Sequence, residues 1–566
     1  MCGIAGIWGK GDIHAMLKVL SHRGPDGYGE IHNGIVQLGA LSLKIVEKDG
    51  KNQPFDNEDG TVFVALNGEI YNFPEIKKEL SHHTFKTGTD TEVIAHAYEE
   101  YGLECVNKFN GCFAFAIWDG TKLIIGRDRL GQKPLYYHCD KGRFIFASEI
   151  KAILTQIDKI KPCFTEDFFA FETVVEEQTF FEGIYSLPRA SLLTYDGKNI
   201  AIDQYWELPT KNVTDLNETQ CIEKLRELIT DSVALRMRSK GPTGIFLSGG
   251  LDSSLIAYLA KVPFAFTCHY PLEKVFNELE YAKKVAKDIN AQHIVIQPEA
   301  EDLKKYLKEI LWYFDQPVAT ASPLPAFLLA KKASEYVRIV LNGEGSDELF
   351  SGYIRYLLMD IEQRLGRKEE LKSFQPLARF FWNDNMFEDS AMRFYELTQR
   401  GNVNSQKSLN RIKSVFSRHK NTLNAMSHCD IDITLPSLLM MADRVCGAHG
   451  IENRSPFLDY RIVEFAFSLP PEIKIKDYTT KYILRKAAEG IVPEEIITRT
   501  DKMGLITPIS TWLAHDLSDW GGELIKSFTR RNIRIPKGKS RGAFDRYDYL
   551  RISLELWYRN YFDKNA

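Results

Sequence analysis

Ile245-Phe246-Leu247-Ser248-Gly249-Gly250-Leu251-Asp252-Ser253-Ser254 runs from a β-like apolar segment through small residues into a helical pattern. Gly249 and Gly250 let the backbone approach a phosphate closely. The hydroxyls of Ser248, Ser253 and Ser254 and the first helical N–H groups can donate to that phosphate, and the helix dipole favours its charge. Asp252 adds a hard oxygen ligand of the kind magnesium takes. The lysine-bearing Walker loop is absent from the chain, so any nucleotide site is of another type.

Outward from this loop, strand-like runs alternate with helical ones: TGIFLSGG then LDSSLIAYLAK, PFAFTCH then ELEYAKKVAKDIN, HIVIQ, and YVRIVLNGEG. Such alternation predicts an α/β domain with a parallel sheet covered on both faces. From about residue 355 the pattern is mostly helical, including the aromatic-rich stretch KEELKSFQPLARFFWND. The first two hundred residues read differently, as short apolar strands (GIVQLGALSL, TVFVALNGEIYN, CFAFAIWDG, KLIIGRDRLG, PLYYHCD, RFIFASE) with NGEIYN and WDGTK as turn signals. They predict packed antiparallel sheets with helices around 76–80 and 92–101. The polar stretch DQYWELPTKNVTDLNET separates the two patterns, giving domains 2–205 and 219–566 joined by a linker at 206–218.

At 566 residues the chain exceeds what one core usually supports. The net charge of −4, with acids and bases dispersed, offers no basic stripe for nucleic acid and no polybasic membrane anchor. No apolar stretch approaches the ~20 residues that span a bilayer, and MCGIAGIWGKGD has no signal-peptide pattern, so a cytoplasmic enzyme is expected. The nine cysteines form no paired metal spacing and read as reduced thiols, apart from Cys2. Loss of the initiator methionine would leave Cys2 with a thiol and a free α-amino group near pKa ~8, a nucleophile and a general base on one residue.

MCGIAG, HRGPDG at 22–27, NGEIYN at 67–72, TGTD at 87–90 and GRDRLGQKPLYY at 126–137 together resemble the glutaminase domain of class II amidotransferases, of amino-terminal-nucleophile fold. The resemblance implies that Cys2 attacks the glutamine amide and that Asn67 with the Gly68 N–H forms the oxyanion hole. Glu69 and Asp90 would hold the glutamine ammonium, and Arg23 would support the nucleophile loop. Where the family has an arginine for the glutamine carboxylate, this chain has Ser42. Lys44, two residues on and on the same strand face by period-2 geometry, is the replacement cation to expect, and as a point charge it implies weaker glutamine binding or partial use of free ammonia.

SGGLDSS in full resembles the pyrophosphate loop of ATP-pyrophosphatases, which cleave ATP between the α- and β-phosphates to make acyl adenylates. Leu341-Asn342-Gly343-Glu344-Gly345-Ser346-Asp347-Glu348 resembles a second loop of the asparagine synthetases, as do MADRVCGAHGIENRSPFLDYR at 441–461 and TTKYILRKAAEGIVPEEIITRTDKMG at 479–504. By that resemblance Asp252 and Asp347 bind Mg2+. Phe246, Leu247, Cys268, Asn342 and Gly343 contact ATP along with the serine–glycine loop, Glu344 assists acyl-adenylate and amide formation, and Lys481 contacts the phosphates. Arg454, Asp459 and Arg485 read as structural. The family implies small-molecule partners, namely glutamine, aspartate and ATP, and a homodimer. The rival acceptor is another carboxylate such as a sugar uronate, which none of these motifs reads. A β-lactam-forming cyclase would not need Cys2, and a non-catalytic sensor would not need Cys2, Asp252, Asp347, Glu344 and Lys481 together.

Overall fold

The computed structural model describes residues 2–45, 52–175, 177–210, 214–271, 278–365, 389–400, 403, 405–499, 507–536 and 547–563. The KEELKSFQPLARFFWND stretch lies outside them, as do residues 500–504 of the carboxy-terminal motif. Among the described residues twelve strands build the amino-terminal half: β1 (Gly3–Trp8), β2 (Tyr28–Asn33), β3 (Val36–Leu41), β4 (Phe55–Asp56), β5 (Phe63–Ile70), β6 (Gly111–Trp118), β7 (Leu123–Arg127), β8 (Tyr136–Asp140), β9 (Arg143–Ala147), β10 (Tyr185–Ser186), β11 (Ser191–Tyr195) and β12 (Ile200–Gln204). They form two six-stranded sheets, ordered β10-β8-β9-β1-β3-β2 and β12-β11-β7-β6-β5-β4, with antiparallel pairing throughout.

The period-2 alternation of strands sorts side chains between layers. Ile4, Leu38 and Phe146 of one sheet meet Ala65, Ala114 and Leu193 of the other. Their neighbours point outward: Ala5 and Ile7 pack on Ile13, Met16 and Leu17 of the helix Ile13–Val19, while Val64 and Leu66 pack on Val93, Ile94 and Ala97 of the helix Asp90–Tyr101. The result is a four-layer helix–sheet–sheet–helix sandwich.

The second half contains β13 (Thr243–Phe246), β14 (Phe264–Cys268), β15 (Gln292–Ile296), β16 (Ile339–Leu341) and β17 (Glu452–Arg454), in the parallel order β15-β14-β13-β16-β17. Both faces are covered. Ile245 and Ala265 meet Leu225, Leu255 and Val285 on one side, and Phe266 and Val340 meet Leu307, Phe327 and Val445 on the other. The connecting segment is packed on this half: Leu208 is buried in its core, Trp206 Nε1 donates to Glu464 at 2.8 Å and Thr214 N to Ser468 O at 2.9 Å. The helix Glu218–Arg236 opens with a reciprocal Asn217/Gln220 cap.

Two readings of the sequence are corrected. NGEIYN is not a hairpin turn, because Asn67 to Ile70 lie in β5 and pair with β6 from Asn67↔Ala114 to Ile70↔Gly111; WDGTK does turn, between β6 and β7. β3 ends at Leu41 and Ser42 only bridges to Pro25, so the alternation argument that set Lys44 beside Ser42 does not hold.

Candidate active sites

Cys2 stands just before β1, and burial pushes its thiol up. Its Sγ lies 3.5 Å from the Leu43 N–H, and its carbonyl accepts from Arg23 Nε at 3.0 Å. Arg23 is fully buried and also donates to Glu149 at 2.8 Å and, from two nitrogens, to Asp443 at 2.9 and 3.0 Å. Asp443 belongs to the carboxy-terminal half, so the segment carrying the thiol is fastened across the domain boundary.

Asn67 is completely buried, yet both polar atoms of its side chain are without a hydrogen-bond partner. A buried amide left unpaired costs on the order of 1–3 kcal/mol, which is tolerable where a ligand completes it. Next to it Gly68 has φ +128°, and a Cβ there would lie 2.0 Å from the Cys112 carbonyl oxygen, so only glycine fits. Glu69 and Asp90 are buried side by side. Burial, then their mutual repulsion, raises the Glu69 carboxyl well above its ordinary value, and burial brings Asp90 up to about 6. This pair wants a cation. Asp90 also accepts from Ile70 N at 2.9 Å. One of the two acids is met from the other half, where Arg454 Nη2 lies 3.2 Å from Glu69. Glu452, which burial alone would raise, is held at about 2 by Arg454 and Lys133.

Ser42 is buried and Lys44 half-buried. Lys44 lines a cavity of about 410 Å³ together with Asp26, Ile45, Arg338 and Ile339, and Ile45 and Ile339 pack with Leu43 against Cys2. Arg338 is a second cation there, and the motifs gave no sign of it because it stands hundreds of residues further along the chain.

In the second half the loop after β13 turns at Gly249 (φ +71°), where a Cβ would come within 2.7 Å of Ala282 N, and enters the helix Leu251–Ala260 at Gly250. Ser248 and Ser253 hydroxyls pair at 3.1 Å, and the buried Ser254 hydroxyl is unpartnered. Phe246 and Leu247 sit at the strand end, where Leu247 N bonds Phe266 O at 2.9 Å, and half-buried Cys268 ends the adjacent β14. Arg499, also unforeseen, donates to the Gly249 carbonyl at 3.3 Å and stacks over Tyr281.

Lys481 closes the site. Held in the left-handed region (φ +55°) at the start of the helix Tyr482–Ala488, its Nζ lies 2.8 and 2.9 Å from the two Asp252 oxygens, 2.6 Å from Asp347 and 2.9 Å from Ser346 Oγ. Gly352 leaves this room, since a Cβ would fall 2.0 Å from Asp347 Oδ1. Asp252 and Asp347, which share the Lys481 ammonium, and the Ser346 hydroxyl beside them are oxygen donors of the kind Mg2+ takes. Asn342 and Gly343 follow β16. Asn342 Oδ1 accepts from Ser455 Oγ at 2.6 Å and from Glu344 N at 3.3 Å, and its amide faces Glu344 Oε2. Burial, then Glu348, lifts Glu344 to about 8; burial, then Asp347, lifts Glu348 to about 7, although Tyr353 donates to it at 2.5 Å. Glu348 and Tyr353 were missed as site residues. Arg454, Asp459 and Arg485 are occupied in scaffolding: Arg454 with Glu452 and the carbonyls of Arg236 and Arg238, Asp459 with Arg236 and Arg461, Arg485 with the carbonyls of Thr480, Ile497 and Arg499.

The fold and these two centres define a class II glutamine amidotransferase joined to an ATP-using synthetase domain. Residues 1–206 match the model of the "Glutamine amidotransferase domain" family and residues 224–549 that of "Asparagine synthase". "Asparagine synthetase [glutamine-hydrolyzing] 1" of Bacillus subtilis (strain 168) is 33% identical over 93% of this chain and 90% of its own length. A putative asparagine synthetase of Mycobacterium bovis is 31% identical over 92% of the chain and 88% of its own, and one of Methanocaldococcus jannaschii is 35% identical over 63% and 76%. The chain belongs to the glutamine-hydrolysing asparagine synthetase family, a ligase family whose amidation is glutamine-dependent and uses ATP. Among the described residues no helix is long and apolar enough to cross a membrane.

Proposed function

We propose that this chain converts aspartate to asparagine with glutamine-derived ammonia, through a β-aspartyl-AMP, releasing AMP, pyrophosphate and glutamate. In this reading residues 2–205 are the glutaminase, 206–218 the linker and 219–566 the synthetase. The observation that carries it is Lys481 set between Asp252 and Asp347 at the mouth of the glycine–serine loop, with Glu344 on the neighbouring loop after β16. A lysine and a carboxyl tuned near neutrality suit phosphate displacement and amine attack better than a purely structural loop would need.

In the glutaminase, Cys2 Sγ bonds to the glutamine amide carbon while its α-amino group takes the thiol proton. Asn67 Nδ2 and the Gly68 N–H receive the oxyanion, the C–N bond breaks, ammonia leaves, and water then cleaves the thioester to glutamate. Glu69 and Asp90 hold the ammonium of glutamine. In the synthetase, a β-carboxylate oxygen of aspartate attacks the α-phosphorus and pyrophosphate departs, its charge met by Lys481, Ser248, Ser253 and the amides at the start of the helix Leu251–Ala260. Mg2+, held by Asp252 and Asp347, would neutralise phosphate charge when bound. Ammonia then attacks the acyl carbon, Glu344 accepts its surplus proton and AMP leaves.

A continuous set of contacts joins the two centres: Glu69 to Arg454, the Arg454 carbonyl to Asn342 N at 3.2 Å, and Asn342 to Glu344. These contacts hold the two centres in a fixed relation to one another. The test is pyrophosphate release from ATP and Mg2+ with aspartate, using glutamine and then ammonium, with asparagine quantified by mass. Asparagine formed in step with pyrophosphate is expected. Turnover only with another carboxylate, such as a sugar uronate, would keep the adenylating chemistry and replace the acceptor.

A further inference from the structure

We propose that Glu58, His83, His96 and Glu99 form a structural zinc site in the amino-terminal half. One ligand atom from each lies within 4.8 Å of every other. His96 Nδ1 is 2.9 Å from Glu58 Oε2 and 3.1 Å from Glu99 Oε2, and His83 Nδ1 is 3.1 Å from Glu58 Oε1 and 3.9 Å from Glu99 Oε2. With zinc–nitrogen and zinc–oxygen bonds of ~2.0–2.1 Å, neighbouring ligands of a tetrahedron are ~3.3–3.4 Å apart, the middle of this set. Two imidazole nitrogens and two carboxylate oxygens are a borderline donor set that zinc prefers over magnesium or calcium.

A surface cluster of acids would not be built this way. The His96 side chain is 0% exposed and that of His83 13% exposed. His96 Nδ1 faces two carboxylates and can carry at most one proton, while Glu58 Oε2, buried and pointing at it, makes no hydrogen bond. Two imidazoles and two carboxylates thus converge on one point, with a buried carboxylate oxygen left unbonded there. One outer partner of the kind that orients metal ligands is in place, Asn57 Nδ2, which donates to Glu99 Oε1 at 2.6 Å, while the far nitrogens of His96 and His83 lie 3.7 Å from Glu92 and 3.9 Å from Glu100 without a hydrogen bond.

The ligands come from three separate segments: the turn between β4 and β5, the turn at His83, and the helix Asp90–Tyr101. Asp90, the carboxylate proposed for the glutamine ammonium, begins that helix, and buried Glu92 holds the preceding loop through Lys86 N and Thr87 N at 2.5 and 2.6 Å. An ion here would staple the frame that presents Asp90.

The full chain, stripped with a chelator and desalted, is titrated with Zn2+ by calorimetry, its bound zinc is counted by atomic emission, and Co2+ is substituted to read coordination geometry in the visible spectrum. One zinc per chain with tetrahedral cobalt bands is expected. Glu58→Gln and Glu99→Gln, which keep side-chain shape, should each weaken binding by more than the ~10–100-fold that loss of an outer partner costs. His82→Asn should leave binding unchanged. No stoichiometric zinc in the parent, equal binding in the glutamine variants, or loss of binding in His82→Asn, which would place the ion at the exposed His82–His83–Glu100 group, would each overturn the assignment.

Discussion

Gly68→Ala is the perturbation whose effect follows most directly from geometry. The added Cβ would sit 2.0 Å from the Cys112 carbonyl oxygen and 2.9 Å from Phe113 Cα, both backbone atoms of β6 that cannot swing aside. A positive φ of +128° adds strain of roughly 1–3 kcal/mol for any side chain. β5 must therefore shift away from β6 at Asn67 and Gly68, the two residues proposed to hold the oxyanion. Misaligning one such donor costs about 2.7–4 kcal/mol, or ~100–1000-fold in kcat. Glutamate release at saturating glutamine should fall by that factor, while ammonia-dependent pyrophosphate release, made in the other half, should persist and report that the chain is folded. Asn67→Ala should fall in the same range. Glutamine turnover within about threefold of the parent, with ammonia activity retained, would refute the oxyanion assignment.

Cys2→Ala should abolish glutamine-dependent synthesis and spare ammonia-dependent synthesis; loss of both would contradict two separate centres. Asp252→Ala should remove acceptor-dependent pyrophosphate release with either nitrogen source, and an unaffected rate would sink its role at the phosphates. Because burial raises Asp90 to about 6, its carboxyl takes up a proton as pH falls through that value, so kcat/KM for glutamine should drop on the acid side, as read by glutamate release. Ammonia-dependent synthesis should not show this limb at the same pH. If Lys44 meets the glutamine carboxylate, Lys44→Ala should raise the glutamine KM ~10–100-fold, the worth of one charge-assisted hydrogen bond, with the ammonia KM unchanged; the same result from Arg338→Met instead would move the role to Arg338.

Local chemistry was legible wherever the argument needed only neighbours in sequence. The strand-to-helix turn at Gly249–Gly250 depends on residue type and short spacing, as does the proposal of Cys2, which stands just before β1, as nucleophile, and the strand and helix periods gave both halves their layers. NGEIYN misled because Asn and Gly usually mark turns, whereas here Gly68 is needed for close approach to β6 within a strand. Lys44 misled because an alternation was extended past the strand's end at Leu41. What joins the halves could not be read at all. Arg23 with Asp443, Arg454 with Glu69, and Arg338 beside Lys44 pair residues hundreds of positions apart, and a lone buried arginine looks in sequence like a surface one.

The central claim, that aspartate is activated as an acyl adenylate and then amidated, is tested most directly with aspartate carrying oxygen-18 in its β-carboxylate. After turnover with ATP, Mg2+ and glutamine, one labelled oxygen should be found in AMP, one should remain in asparagine, and pyrophosphate should be unlabelled. Label in pyrophosphate or orthophosphate, or asparagine formed without label in AMP, would contradict the account.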